Sequence, residues 1–368
     1  MADERTAMRQ VCHIRSFLIA IFATSRSETR KFMKKISFLG AGSWGTALAI
    51  LCAKNGHKVT IWSAVKEELD MLQTKREHVE RLPGIKLPDT VEIEAELQKA
   101  CKDKDILVFS VASPYVRTTA QLVQPYIKEG QIVVNVGKGI EDNTLMTLCD
   151  ILEDELPKAD VAVLSGPSHA EEVSKGLPTT VVVGAKSEKT AVFIQDVFMG
   201  NNFRVYVNPD IIGIEIGGAL KNVIALAAGM LEGMGLGDNT KAALMTRGIA
   251  EISRLGIELG GKMETFFGLS GIGDLIVTCT STHSRNHNCG YLLGKGKTLK
   301  EAKEEIKQVV EGVNCAKAAM ALANKHHVNM PIVEQINAVL FENKPTDQAL
   351  NDLILRERVV EYQSLSWK

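Results

Sequence analysis

What this chain has little of already narrows the field. Its charge is nearly balanced, 43 Lys and Arg against 44 Asp and Glu, for a net charge of −1. No basic excess is left to build a nucleic-acid footprint, and no acidic tail is present. The seven cysteines (Cys12, Cys52, Cys101, Cys149, Cys279, Cys289, Cys315) are odd in number, scattered, and form no C-x-x-C pair. That argues against a disulfide framework or a zinc site and for a reducing, cytoplasmic compartment. No run reaches the roughly 18 apolar residues that a membrane span requires. The nearest approach is SFLIAIFA at residues 16–23, which follows Arg9 and Arg15 as a targeting segment would. It is short, however, and Glu4 and Glu28 stand in its flanks. Met33-Lys34-Lys35 directly precedes the first strand pattern, so residues 1–32 are read as an extension outside the fold. Internal repeats and low-complexity tracts are also missing.

What is present suits two domains within 368 residues. The chain is organised around KISFLGAGSWGTALA at residues 35–49. An apolar run, Ile36, Phe38 and Leu39, reads as a buried strand and a helical pattern begins at Thr46. Between them Gly40, Gly42 and Gly45 fit G-x-G-x-x-G. The first glycine serves a tight turn, the second lets backbone approach a pyrophosphate, and the third lets helix pack on strand. The helix start then offers free N–H groups and the positive end of its dipole to phosphates. In this setting the motif predicts a dinucleotide site; a packing-only glycine turn is the bland alternative.

Further strand patterns fall at residues 58–62, 105–111, 132–136, 160–164, 179–183 and 203–207. A loop with Pro83, Gly84 and Pro88 covers residues 82–89, and residues 94–102 read as helix. Strands alternating with helices predict a mostly parallel, doubly wound, Rossmann-like sheet. The pattern changes at Asn208-Pro209-Asp210, beyond which helices dominate. Residues 211–234 are apolar and Ala/Gly-rich, as in a helix buried on most sides. Thr298 and Glu301 form a capping box, and Pro331 suits a helix start. The expected organisation is an α/β dinucleotide-binding domain over 33–207, an all-helical substrate domain over 208–345 and a C-terminal tail over 346–368.

An NAD site commonly carries an acid near the end of the second strand, to hold the adenine ribose. Here the chain reads Trp62-Ser63-Ala64-Val65-Lys66, with no acid before Glu67. NAD or NADP therefore remain equal candidates. Lys66 either meets a 2′-phosphate or is the solvated start of a helix.

Three polar insertions stand out downstream. Lys221 interrupts the apolar segment GGALKN; it is either desolvated toward the proton affinity of a general base or snorkels to the surface. Asp274 and Thr278 in GDLIVTCT lie four apart, on one helical face. Asp274 would either set the lysine's proton affinity or cap a helix after Gly273. Ser284-Arg285-Asn286 combines a guanidinium with hydroxyl and amide donors, suited to a phosphate, although a lone Arg is usually solvated. His283 and His287 lack a third ligand at metal-site spacing, so no metal is expected.

Together GAGSWGTALA, NVGKGIE, LSGPSHAEE, GGALKNVIALAAG, GIGDLIVTCTSTHSRN and VVEGVNCAKAA resemble the NAD(P)-dependent glycerol-3-phosphate dehydrogenases, the bacterial biosynthetic type in particular. The resemblance runs from about Met33 to Leu340. It implies that Gly40, Gly42, Ser43, Trp44 and Gly45 line the cofactor with Ala170, Val309 and Glu311. Lys138 and Arg285 would reach both cofactor and substrate. Lys221 would be the proton acceptor beside Asp274. Gly166, Ser168, Asn222, Thr278, Ser284 and Asn286 would complete the glycerol phosphate site. Ala64 departs from the basic or polar residue common there in the family. The implied reaction interconverts sn-glycerol 3-phosphate and dihydroxyacetone phosphate with NAD or NADP, for glycerophospholipid synthesis. The rivals are another hydroxyacid dehydrogenase of this architecture and a non-catalytic dinucleotide sensor. A homodimer through the helical domain is also expected.

Overall fold

The structure is a computed structural model that describes residues 32–358, 360 and 361. All but the last residue of the expected N-terminal extension lies outside the described residues. Eight strands form one sheet: β1 (Lys35–Leu39), β2 (Lys58–Trp62), β3 (Val91–Ile93), β4 (Ile106–Phe109), β5 (Gln131–Asn135), β6 (Ala159–Ser165), β7 (Thr179–Ala185) and β8 (Phe203–Asn208). Between them run helices α1 (Ser43–Lys54), α2 (Lys66–Lys75), α3 (Leu97–Cys101), α4 (Val116–Val123), α5 (Leu148–Glu155), α6 (Ala170–Ser174) and α7 (Glu188–Phe198). The strand order is β3-β2-β1-β4-β5-β6-β7-β8, and only the β6–β7 pair is antiparallel. One sheet face is packed by α1, α2, α6 and α7, the other by α3, α4 and α5, so the sheet is doubly wound as expected. The chain reverses direction across the sheet between β1 and β4, and the carboxyl ends of β1, β4, β5 and β6 share one edge. In such sheets that crevice is where ligands bind.

Every strand read from the sequence is present. The short edge strand β3 is an addition, falling between the expected loop at 82–89 and the expected helix at 94–102. Only three residues long, it carries Glu92 between two apolar residues and gives too brief a pattern to register.

After β8 the chain is helical: α8 (Ile211–Gly233), α9 (Asp238–Glu258), α10 (Met263–Phe266), a π-turn (Leu269–Gly273), α11 (Asp274–Thr280), α12 (Arg285–Gly294), α13 (Leu299–Ile306), α14 (Glu311–Lys325), α15 (Pro331–Phe341) and α16 (Thr346–Ile354). The last helix corrects the expectation of a tail beginning at residue 346. The described chain continues folded there, and Ala349 is buried.

Helix α8 is the centre of this region. It is long and apolar enough to cross a membrane, but 83% of its most apolar window is buried inside the protein, as in a core helix. Its small residues allow backbone to approach backbone. A methyl on Gly229 would meet the His287 carbonyl at 1.9 Å, and one on Gly290 of α12 would meet the Leu226 carbonyl at 1.9 Å. This seam presses α12 against α8 and brings Asn286 onto Asn222, the neighbour of Lys221. Asp210 caps α8, its carboxylate accepting from Gly213 N–H at 2.8 Å.

Candidate active site

The glycine turn stands at the carboxyl end of β1. Gly40 has φ +116, and a Cβ there would lie 2.7 Å from the backbone of Ser110 and Val111 at the end of β4. A Cβ on Gly45 would meet Ser110 Oγ at 2.5 Å and the Gly40 carbonyl at 2.6 Å. Those two glycines are required by the protein itself. Gly42 differs: a Cβ would find nothing nearer than an Arg81 Nη1 at 3.7 Å, so its bare face looks onto open space. Gly42 is also the N-cap of α1, and no side chain caps that helix. The first-turn N–H groups, which lack partners within a helix, are therefore free of any capping side chain. A cradle left open at this turn fits a pyrophosphate. Ser43 and Trp44 are half-buried beside it. Ser43, Arg81, Glu171, His283, Arg285 and Gln308 line a cleft of about 490 Å³.

Where an acid usually meets the ribose, the structure holds a different arrangement. The nearby acid is Glu68, buried, accepting from Ser63 Oγ at 2.7 Å and paired with Arg81 Nη2 at 2.9 Å. Lys66 is the exposed first residue of α2.

The polar insertions of the second half converge with the turn after β5. Lys221 is buried in α8, so it does not snorkel. Its Nζ donates to Asp274 Oδ1 at 2.5 Å and to Thr278 Oγ1 at 2.6 Å. Asp274 begins α11 but caps nothing; the N-cap is Gly273. Its carboxylate instead bridges two ammonium groups, because Lys138 Nζ donates to Oδ2 at 2.5 Å. Lys138 Nζ also donates to the Gly166 carbonyl at 3.2 Å, and Ser168 Oγ donates to the same carbonyl at 2.9 Å. Burial pushes the Lys221 ammonium down to about 8; Asp274 opposes that shift and the Lys138 charge adds to it. An amine held near 8 can take or give a proton near neutral pH.

Asn286 Nδ2 donates to Asn222 Oδ1 at 2.9 Å, and Gly312 N–H donates to Asn286 Oδ1 at 2.8 Å. Both asparagines are thus oriented by α12 and α14. Ser284 is the N-cap of α12, its Oγ accepting from His287 N–H at 3.2 Å, while its own hydroxyl hydrogen stays available. Arg285 extends into the open cleft, touching Gln308 Oε1 at 3.4 Å. Glu311, the first residue of α14, accepts from Ser113 Oγ at 2.5 Å and joins the helical region to the loop after β4. Val309 precedes it in the α13–α14 loop, and Ala170 is the buried first residue of α6. His287 is buried, with Nε2 3.3 Å from Glu232 Oε2; the His283 ring lies 5.8 Å from that of His169.

Sequence reasoning missed Arg81, Glu68, Ser113 and a buried pair, Asn135 and Glu215. A carboxylate inside an apolar helix was a usable signal for Glu215. Arg81, an ordinary loop arginine, offered none.

Two family profiles match the chain, described as the NAD-dependent glycerol-3-phosphate dehydrogenase N-terminus over residues 35–191 and C-terminus over residues 210–351. Glycerol-3-phosphate dehydrogenase [NAD(P)+] of Agathobacter rectalis is 59% identical over 336 residues, covering 91% of this chain and all of that protein. The protein of the same name from Fusobacterium nucleatum is 54% identical over 334 residues, covering 90% of this chain and all of its own length. The crystal structure of glycerol-3-phosphate dehydrogenase from Coxiella burnetii superposes with a TM-score of 0.85 at 36% identity, covering 88% of this chain and 99% of that one.

Proposed function

The chain belongs to the NAD-dependent glycerol-3-phosphate dehydrogenase family, in its bacterial NAD(P)-dependent form, and from that premise we propose how its own residues carry the reaction. It is an oxidoreductase: sn-glycerol 3-phosphate and NAD(P)+ give dihydroxyacetone phosphate, NAD(P)H and a proton, reversibly. Family membership sets aside the hydroxyacid dehydrogenase and sensor readings.

The observation that carries the residue assignment is the cluster of buried Lys221 and Asp274 with half-buried Lys138 at the carboxyl edge of the sheet. Lys221 takes the proton of the C2 hydroxyl during oxidation and returns it to the carbonyl oxygen during reduction. Asp274 stabilises the charged lysine and, with Thr278, aims it. Lys138 balances the carboxylate and meets substrate beside Gly166 and Ser168. Arg285, Ser284 and Asn286, with Asn222 behind, hold the phosphate, so binding energy becomes orientation of C2. Gly42, Ser43, Trp44 and the first turn of α1 would hold the pyrophosphate. Ala170, Val309 and Glu311 would line the rest of the cofactor groove. When bound, the nicotinamide ring takes up or gives the C2 hydride.

The domain division at residue 208, a role in supplying glycerol 3-phosphate to glycerophospholipid synthesis, a cytoplasmic site and a homodimer belong to the same proposal. The buried free thiols of Cys101, Cys149, Cys279, Cys289 and Cys315 support a reducing compartment.

The test is Lys221→Ala in the full chain. Oxidation of NADH or NADPH by dihydroxyacetone phosphate is expected to fall by about 10²- to 10⁴-fold. Cofactor binding, read by its fluorescence, stays. Full turnover in that variant would remove Lys221 from its role.

A further inference from the structure

Glu215 is a buried carboxylate six residues before Lys221 on α8. Such a group needs donors, and it finds them in the sheet region. The Cys149 N–H, in the first turn of α5, donates to both oxygens, at 3.0 and 3.2 Å. Asn135 Nδ2, at the last position of β5, donates to Oε1 at 3.1 Å. Asn135 is wholly buried, and its remaining capacity closes on the turn that follows. Its Oδ1 accepts from Gly137 N–H at 2.9 Å, and its Nδ2 also donates to the Gly137 carbonyl at 3.3 Å. The next residue is Lys138. Its aliphatic stem crosses α8 at Gly218, where a methyl would stand 3.6 Å from Lys138 Cγ. Glu215, Gly218 and Lys221, spaced by three along one helix, therefore all address that turn: Glu215 through Asn135, Gly218 against the Lys138 stem, and Lys221 through the carboxylate it shares with Lys138.

We propose that Glu215 and Asn135 are positioning residues: their buried hydrogen bond fixes the Gly137-Lys138 turn against α8. It thereby sets where the Lys138 ammonium stands relative to Lys221 across the Asp274 carboxylate. The proposal rests on the catalytic reading above. The bond acts as a strut between the two elements that carry the lysines, and each ammonium stands 2.5 Å from one oxygen of a single carboxylate. A turn that drifts withdraws one of them. Two consequences follow for the chemistry. Substrate and base lose their register, which a displacement of about 1 Å can turn into a 100-fold loss. In addition the Lys138 charge, one cause of the lowered Lys221 proton affinity, moves away, so the base titrates at higher pH.

The chemistry of the pair supplies a test that separates positioning from bulk stability. Above pH 7, where the Glu215 carboxyl is ionised, it only accepts, whereas an amide both accepts and donates. The Thr147 hydroxyl also bonds Glu215, so in Glu215→Gln the new NH2 either faces the Asn135 NH2, donor against donor, or takes the other oxygen's place and gives up one of the two Cys149 N–H bonds. Adding Asn135→Asp supplies an acceptor for that NH2 and still accepts from Gly137 N–H, while its second contact with the turn, to the Gly137 carbonyl at 3.3 Å, changes from a bond into two facing acceptors. The measurements are kcat and KM for dihydroxyacetone phosphate across pH, thermal midpoints, and hydrogen exchange of the peptide covering residues 136–141. Glu215→Gln is expected to lower kcat by about 10- to 100-fold, move the alkaline limb of the profile upward and speed exchange in that peptide. The Glu215→Gln/Asn135→Asp pair is expected to recover most of all three. A Glu215→Gln variant with unchanged kcat, pH limb and exchange would overturn the proposal. So would a double variant that recovers its thermal midpoint but not its turnover, or one that fails to fold. Wild-type turnover with dihydroxyacetone phosphate tests the underlying reading separately, and the exchange comparison holds whatever that turnover is.

Discussion

At the scale of single residues, the site places two cations on one buried anion, and the third charge keeps Lys221 responsive. A lysine alone in that apolar helix would be neutral; a simple ion pair would hold its proton too firmly. With Asp274 and Lys138 both present it stands near 8, protonated at pH 7 and neutral at pH 9, which supports the proposed exchange of a proton in both directions. These residues were legible in the sequence because burying charge is costly, so Lys221 and Asp274 inside apolar segments marked themselves. Arg81 did not, since a loop arginine is ordinarily solvated and only the folded chain carries it to the glycine turn. There one Nη holds Glu68 at 2.9 Å while the other looks across Gly42. Glu68 is already engaged by Ser63 and Arg81 and so is not free to hold an unphosphorylated ribose. Arg81→Ala is accordingly expected to weaken NADPH binding by about tenfold, the worth of one charge-assisted hydrogen bond, and NADH binding by much less. Fluorescence titration without substrate reads this directly. Equal weakening of both would show that Arg81 does not meet the 2′-phosphate.

At the scale of elements, the helical region is held by side chains that cap helices other than their own. The N-cap of α15, Met330, offers no side-chain acceptor. Glu251 of α9 supplies one, accepting from Ile332 N–H at 2.9 Å and from Val333 N–H at 3.3 Å. Pro331 at the helix start could be read from the sequence, whereas a cap delivered from 80 residues away could not, because local pattern carries no information about it. The same limit hides the Glu215 and Ser113 contacts from the sequence, and with them the last helix, α16, which is held by packing on α15. Burial pushes the Glu251 carboxyl up to about 7. Since the unfolded chain releases that proton near 4.5, its stabilising contribution is complete below about 4.5 and is lost as pH rises through 7. Glu215 is raised to about 7 as well and adds to the same slope. Glu251→Gln keeps an acceptor without the charge, so its urea-unfolding stability is expected to depend less on pH between 5 and 7.5. Glu251→Ala leaves buried N–H groups bare and is expected to cost about 1–3 kcal/mol at pH 5. A wild-type slope that Glu251→Gln leaves intact would contradict the assignment.

At the scale of the whole molecule, the order of the chain separates two kinds of apolar surface. Apart from Tyr206 and Val207 on the edge strand β8, the sheet buries its large apolar residues on both faces, and α8 buries almost all of its own. On the far side of the helical region the pattern is incomplete. Met263 is 45% exposed, Phe267 59%, Ile354 67% and Val360 51%, and all four line one groove of about 890 Å³ beside α9, α15 and α16. Four large apolar side chains in one groove exceed the scattered exposure that a monomer's surface ordinarily shows. With a net charge of −1 the chain has little self-repulsion to keep copies apart. Homodimer interfaces have this character, apolar at the centre and charged at the rim, and Arg247, Arg356 and Glu357 supply charge to the same groove. Ile354 stands at the end of α16 and outside the catalytic cluster, so a carboxylate there costs the folded monomer little yet would be desolvated and unpaired in a two-fold contact. Sedimentation at micromolar concentration is expected to give twice the 40.1 kDa chain mass for the wild type and the single chain mass for Ile354→Asp. Thermal midpoints measured on dilute samples, where both are monomers, should agree. A wild type that sediments as a single chain would leave the groove without the partner assigned to it.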